Sequence, residues 1–160
     1  MDYCYQPYRA SFWIQGLRAY EIQLDELETL PVWHGIYFLC KREGILYVGK
    51  SQIRDDGIKG RIREHWQHSN KTFSYVIILS LLREKVLIEQ WEKAAILTFN
   101  PEINKKDRNP SKPILNDILG IHQFIKKMGA EQIRGIARIG INSWYDPEQA
   151  ELNEPYRGVR

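Results

Sequence analysis

Apolar and polar positions in the first half of the chain predict a β-hairpin. Two apolar runs, GIYFLC at 35–40 and ILYVG at 45–49, flank a short polar stretch that ends in Gly44. A three-residue loop at 42–44 would put Gly44 in the left-handed position that such loops favour. In that register Leu39 pairs with Tyr47, and Tyr37 lies diagonal to Tyr47, so the two tyrosines share one face.

Helical and strand-like patterns follow the hairpin. An apolar stripe at four-residue spacing predicts a helix over about 58–68, formed by Ile58, Ile62 and Trp66. The run FSYVIIL at 73–79 predicts a third strand. The longest helical pattern covers 83–99 and ends at Asn100-Pro101.

The flanking segments give weaker patterns. A short helix is predicted at about 24–30, and another from 116 or 117 to 128, with a glycine as its stop. After 131 the isoleucine spacing is ambiguous between the helix and strand periods. The predicted fold class is α+β, with a small three-stranded antiparallel sheet flanked by helices. Its predicted organisation is a lead-in at 1–30, a core at 31–104, and a basic loop with a C-terminal helical extension at 105–160.

Composition supports one globular domain. The chain has 160 residues, 43% of them hydrophobic and 27% charged, which excludes a disordered or low-complexity chain. No apolar run approaches the ~18 residues that a membrane helix needs, and no secretory leader is expected. The two cysteines cannot form a disulfide framework or a cysteine zinc site, so a cytoplasmic location is expected.

Charge is unevenly distributed. Residues 35–104 carry 11 basic against 8 acidic side chains, and residues 105–160 carry 10 against 7, whereas 1–34 is acidic. This modest basic excess is compatible with a polyanionic partner without requiring one.

Five short sequence motifs follow one another between residues 35 and 104. These are GIY at 35–37, YVG at 47–49, Arg61 with His65 one helical turn later, Glu92, and Pro-x-x-Asn ending at Asn104. Taken singly, each is most simply explained as an ordinary structural residue. Their order resembles the GIY-YIG nucleases over about residues 30–104. The sequence departs from that pattern in YVG for YIG, PEIN for the usual PxYN, and a longer loop at 50–60.

The resemblance implies a catalytic set and a cation. Tyr37 would act as general base and Tyr47 would position the water or phosphate, or the reverse; the remaining members are Arg61, His65 and Glu92. One Mg²⁺ or Mn²⁺ per site would be held by the single carboxylate of Glu92, with Glu89 as a competing ligand. Supporting roles fall to Gly35, Gly49, Lys50 and Asn104.

Elementary chemistry agrees with these residue types. A phenol with a pKa near ~10 is a poor base unless its proton has somewhere to go, and His65 can accept that proton. Arg61 is always charged and can clamp phosphate oxygens. Mg²⁺ takes hard oxygen ligands and keeps several waters, so one carboxylate predicts weak binding without substrate.

The expected partner is DNA, double-stranded or branched, and a homo-oligomer is possible. Basic side chains are predicted to contact its backbone at Lys50, Arg63, Lys105, Lys106, Arg108 and Lys112. Two alternatives stay open: a catalytically silent nucleic-acid-binding module, and a nuclease that acts on RNA or single-stranded DNA. No membrane partner is expected.

Overall fold

The computed structural model describes residues 9–14, 16–41, 44–52, 54–68, 73–101, 103–104 and 118–140. The strands are β1 (Arg9–Ile14), β2 (Leu17–Gln23), β3 (Gly35–Lys41), β4 (Gly44–Ser51), β5 (Tyr75–Leu81) and β6 (Ile133–Gly140). The helices are α1 (Gly57–His68), α2 (Lys85–Phe99) and α3 (Ile118–Met128), with short 3-10 helices at Leu24–Thr29 and Ala130–Gln132.

The fold is α+β, as predicted, but the sheet is larger than predicted. Six strands pair in the order β1-β2-β6-β5-β3-β4, and every neighbouring pair is antiparallel except β2 with β6. The predicted three-stranded sheet is present as β4-β3-β5 within this larger sheet. The prediction of three strands was therefore wrong, and strands from 1–30, 31–104 and 105–160 all join one sheet.

Strand β6 corrects the prediction of a C-terminal helical extension. The described part of that extension contains α3 and then β6, which pairs with β5 on one side and β2 on the other. Neighbouring residues Ile136 and Ala137 are both buried, one in each of the two clusters that cover the faces of the sheet. A strand covered on both faces loses the polar alternation that would identify it from sequence.

The hairpin has the predicted register. Leu39 pairs with Tyr47 and Tyr37 pairs with Gly49, and a bulge follows between Leu39 and Cys40. Strand β4 is at the edge of the sheet, so one of its sides has no neighbouring strand among the described residues.

Helices cover both faces of the sheet. Ile58 and Ile62 of α1 pack with Tyr37 in the cluster on one face. Trp91 of α2 and Phe124 of α3 pack with their rings edge to face in the cluster on the other. Helices α1 and α2 both contact β4, so the edge strand is where side chains from the two layers come together.

Candidate active site

Two tyrosines and a histidine form the centre of the predicted site. Tyr37 Oη and His65 Nε2 are hydrogen-bonded at 2.9 Å, and both side chains are buried. The ring centroid of Tyr47 lies 6.5 Å from that of Tyr37 and 5.3 Å from that of His65. The β3–β4 register supplies the two phenols and α1 supplies the imidazole, so three of the five predicted catalytic residues are in mutual contact.

Gly49 makes room for the Tyr37 ring. A Cβ atom at this position would lie 2.3 Å from Tyr37 Cζ and 2.4 Å from its hydroxyl oxygen. Such distances are far below the ~3.5–4.0 Å of ordinary carbon contacts. The third position of YVG is therefore glycine because the phenol of the paired strand lies directly across it.

Gly35 is required by the backbone conformation at the start of β3 and not by contact with the catalytic residues. Its φ is +149°, and an added Cβ would meet the Leu79 carbonyl oxygen at 2.2 Å. Both features exclude a larger residue where β3 begins beside β5. Gly35 thus supports the start of the strand that carries Tyr37.

Burial controls the acidity of both phenols. It raises the pKa of Tyr37 well above its ordinary value, and the nearby Arg61 guanidinium opposes this by its charge and by hydrogen bonding. Burial also raises the pKa of Tyr47, again opposed by Arg61, and the Glu92 carboxylate adds to the rise at both tyrosines. Neither phenol is therefore ionised near neutral pH.

Arg61 lies beside the phenols and is held by an acidic neighbour. Its Nη1 is 3.5 Å from Glu64 Oε1, and Arg54 Nη2 is 2.5 Å from the other carboxylate oxygen, Oε2. Arg54 lowers the pKa of Glu64, chiefly by donating a hydrogen bond to it. This contact uses one nitrogen of the guanidinium, so Glu64 takes up only part of the hydrogen-bonding capacity of Arg61.

Glu92 lies at the other side of the edge strand. Helix α2 packs on the face opposite α1, and the Glu92 carboxylate is 3.4 Å from Lys50 Nζ of β4. Lys50 is also 3.8 Å from Glu89. The Glu92 side chain is 17% exposed against 43% for Glu89, and only Glu92 acts on the pKa of both tyrosines.

The side chains around Glu92 offer few ligands for a divalent cation. Within the described ranges, no three His, Cys, Asp or Glu side chains are grouped closely enough to hold a metal ion. The largely buried carboxylate of Glu92 is nevertheless a suitable ligand type for Mg²⁺, which can use one carboxylate together with waters and substrate phosphate oxygens. Glu92 is the residue that would hold it, and Lys50 is the cation that would have to move aside.

Asn104 has a defined structural role. Its Oδ1 accepts a hydrogen bond from the Val48 backbone N–H, and its Nδ2 donates to the Val48 carbonyl, both at 2.9 Å. Val48 lies between Tyr47 and Gly49 on the edge strand, and its backbone groups face away from β3. The side chain of Asn104 thus takes the place of a neighbouring strand and holds β4 in position.

The structure describes only some of the residues that were predicted to contact DNA. Arg63 pairs with Glu28 of the first 3-10 helix and lies 3.7 Å from Asp56, so it ties α1 to that helix. The remaining predicted contacts on the basic loop lie outside the described residues: Lys105, Lys106, Arg108 and Lys112.

Sequence analysis missed two side chains next to the catalytic set. Glu64, three residues after Arg61, orients it. Ser51 lies on β4 two residues beyond Gly49, on the same face by the strand period of two. That period was the available signal for Ser51, and the i,i+3 spacing on the predicted helix was the signal for the pairing of Glu64 with Arg61. Only the structure showed that Arg54 binds the same carboxylate.

Comparison of the chain with protein-family models, with curated proteins and with solved structures gave no match in any of the three. Among the described residues, no helix has both the length and the apolar character needed to cross a bilayer.

Proposed function

We propose that the chain is a metal-dependent endonuclease that hydrolyses phosphodiester bonds in DNA. The observation that carries this proposal is the buried hydrogen bond between Tyr37 Oη and His65 Nε2, flanked by Tyr47 and by the opposite charges of Arg61 and Glu92. A neutral phenol hydrogen-bonded to an imidazole nitrogen, which accepts its proton when the ring carries hydrogen on Nδ1, is suited to proton transfer at a phosphate.

The raised pKa of Tyr37 decides how it can act as a base. The phenolate is scarcely populated at neutral pH, so the hydroxyl gives its proton to His65 Nε2 as it takes one from the attacking water. The water oxygen forms a bond to phosphorus while the bond from phosphorus to the leaving oxygen breaks. Arg61 donates to the phosphate oxygens on which negative charge increases. We assign the general base to Tyr37 because it is hydrogen-bonded to His65, and we assign to Tyr47 the positioning of the water or phosphate.

Glu92 is the proposed cation ligand. Mg²⁺ or Mn²⁺, when bound, supplies charge neutralisation at the phosphate and the leaving oxygen. Lys50, which contacts the same carboxylate, is placed to hold the site together electrostatically until substrate and cation arrive. With one carboxylate the cation binds weakly without DNA.

The proposed substrate is double-stranded or branched DNA, and the proposed location is the cytoplasm. The modest basic excess of the chain is compatible with a polyanionic partner. The cysteine of β3, Cys40, is a buried free thiol, as suits a reducing compartment. A homo-oligomer would give paired cuts, one in each strand.

The test is incubation with supercoiled plasmid, with and without Mg²⁺ or Mn²⁺, for the parent, Glu92→Gln and Glu89→Gln. We expect the parent to cut, Glu92→Gln to lose at least ~10²-fold in rate, and its DNA binding to survive. Glu89→Gln is the matched control and keeps most of the rate. If no variant cuts any DNA or RNA with any divalent ion while all bind, the silent nucleic-acid-binding module replaces this proposal. Cleavage of RNA or single-stranded DNA alone would change the substrate.

A further inference from the structure

Four buried side-chain atoms lack a hydrogen-bond partner among the described residues, and only two of them are donors. The two donors are the Ser51 hydroxyl and Arg61 Nε; the other two are the side-chain oxygens of Gln23 and Gln52. Ser51 is only 4% exposed. Leaving a buried donor unpaired costs about 1–3 kcal/mol, so a hydroxyl in this position calls for an explanation.

Both donors lie on the side of the sheet that carries the tyrosines. Ser51 follows Gly49 by two residues on β4, so its side chain leaves the strand on the face where the Tyr37 ring crosses Gly49. Arg61 comes from α1 and acts directly on the Tyr37 hydroxyl.

The direction of α1 relative to β4 indicates where Arg61 lies along the edge strand. Its first turn lies by Trp33, since the Ile58 N–H donates to the Trp33 carbonyl, next to the β3 residues that pair with the end of β4. Its later turn places His65 at Tyr37 and Tyr47. Arg61 lies one turn before His65, about 6 Å along the helix axis, and so is nearer than His65 to the end of α1 that lies by Trp33.

We propose that the Ser51 hydroxyl is a phosphate ligand, which donates to a non-bridging oxygen of the same DNA phosphate that Arg61 binds. The inference rests on the proposed function for the identity of its substrate. Both atoms are buried in the free protein, so a phosphate oxygen reaches them only when the side chains around them move aside. It would then satisfy both unpaired donors at once, which no described residue does.

The first arm of the test uses inorganic phosphate and needs no cleavage. Melting temperatures of the parent and Ser51→Ala are measured against phosphate concentration at constant ionic strength. We expect Ser51→Ala without phosphate to melt no lower than the parent, because an unpaired buried hydroxyl is removed. Its phosphate dissociation constant should rise about 10-fold or more, as for a hydrogen bond to a charged group.

Ser74→Ala is the matched control. Ser74 is equally buried, but its hydroxyl donates to the Cys40 carbonyl at 3.4 Å. This variant should melt lower than the parent and bind phosphate equally well. Equal phosphate affinity for the parent and Ser51→Ala would overturn the proposal, as would no phosphate binding by the parent, or a loss of stability in Ser51→Ala as large as in Ser74→Ala.

The second arm separates this proposal from the endonuclease. DNA cleavage by Ser51→Ala should fall about 10-fold, with Ser74→Ala as control. If the parent cuts DNA and Ser51→Ala cuts equally fast, the Ser51 ligand is wrong and the endonuclease stands. If the parent binds phosphate through Ser51 but cuts no nucleic acid, the anion site stands and the endonuclease fails.

Discussion

Gly49→Ala is the sharpest test of how the tyrosine pair is built. The added methyl group would lie 2.3 Å from Tyr37 Cζ, 2.4 Å from Oη and 2.8 Å from Cε2. Restoring a normal contact of ~3.5–4.0 Å to Cζ requires the distal ring to move by roughly 1.2–1.7 Å. Tyr37 is completely buried, so the movement displaces packed neighbours and pulls Oη away from His65.

The expected loss of stability follows from that overlap. Overpacking of a buried site costs about 1–3 kcal/mol, against which Gly→Ala in a strand with ordinary φ gains about 0.5–1 kcal/mol. We expect a net loss of up to about 2.5 kcal/mol in the free energy of unfolding, measured by urea denaturation. Cleavage should fall by ~10²-fold, since an error of 1 Å in a reacting group has effects of that size.

A double-mutant cycle with Tyr37→Leu isolates the cause. Leucine keeps the apolar stem but lacks the three atoms that Gly49→Ala would meet. In that background Gly49→Ala should be neutral or stabilising, giving an interaction energy of about 1–3 kcal/mol. An equal cost in both backgrounds would refute the reasoning, because the penalty would then come from the β4 backbone and not from the phenol.

Two further predictions concern stability. Burial raises the pKa of Tyr37 and Tyr47 in the folded protein, so the stability that they contribute is complete below the unfolded-state pKa of ~10 and is lost as pH rises through the higher folded values. In urea denaturation across this pH range, Tyr37→Phe should therefore lose less stability than the parent. Identical curves for the two proteins would contradict this. Asn104→Ala should lower the free energy of unfolding by about 2 kcal/mol or more, because two hydrogen bonds to Val48 worth about 1 kcal/mol each are lost; a cost near that of an exposed substitution would disprove the role.

The local sequence pattern was sufficient to predict the hairpin and the helix that carry most of the candidate site. The hairpin register, including the pairing of Leu39 with Tyr47, follows from two apolar runs and a glycine at the loop. Helix α1 follows from an apolar stripe every four residues, and that stripe places Arg61 and His65 on a common face. These features depend on residues close together in the chain, where strand and helix periods carry the information.

Only the tertiary structure decided the features that join distant segments. Strand β6 enters the sheet between β2 and β5, and because both of its faces are covered its sequence lacks the alternation of a half-exposed strand. Asn104 binds Val48 from 56 residues away, and Lys50 lies near both Glu89 and Glu92 of α2, on the face opposite Tyr37. The sequence determined which side chains share a face of each element; which elements then meet at the edge strand depends on how both faces of the sheet are buried, and no local period records that.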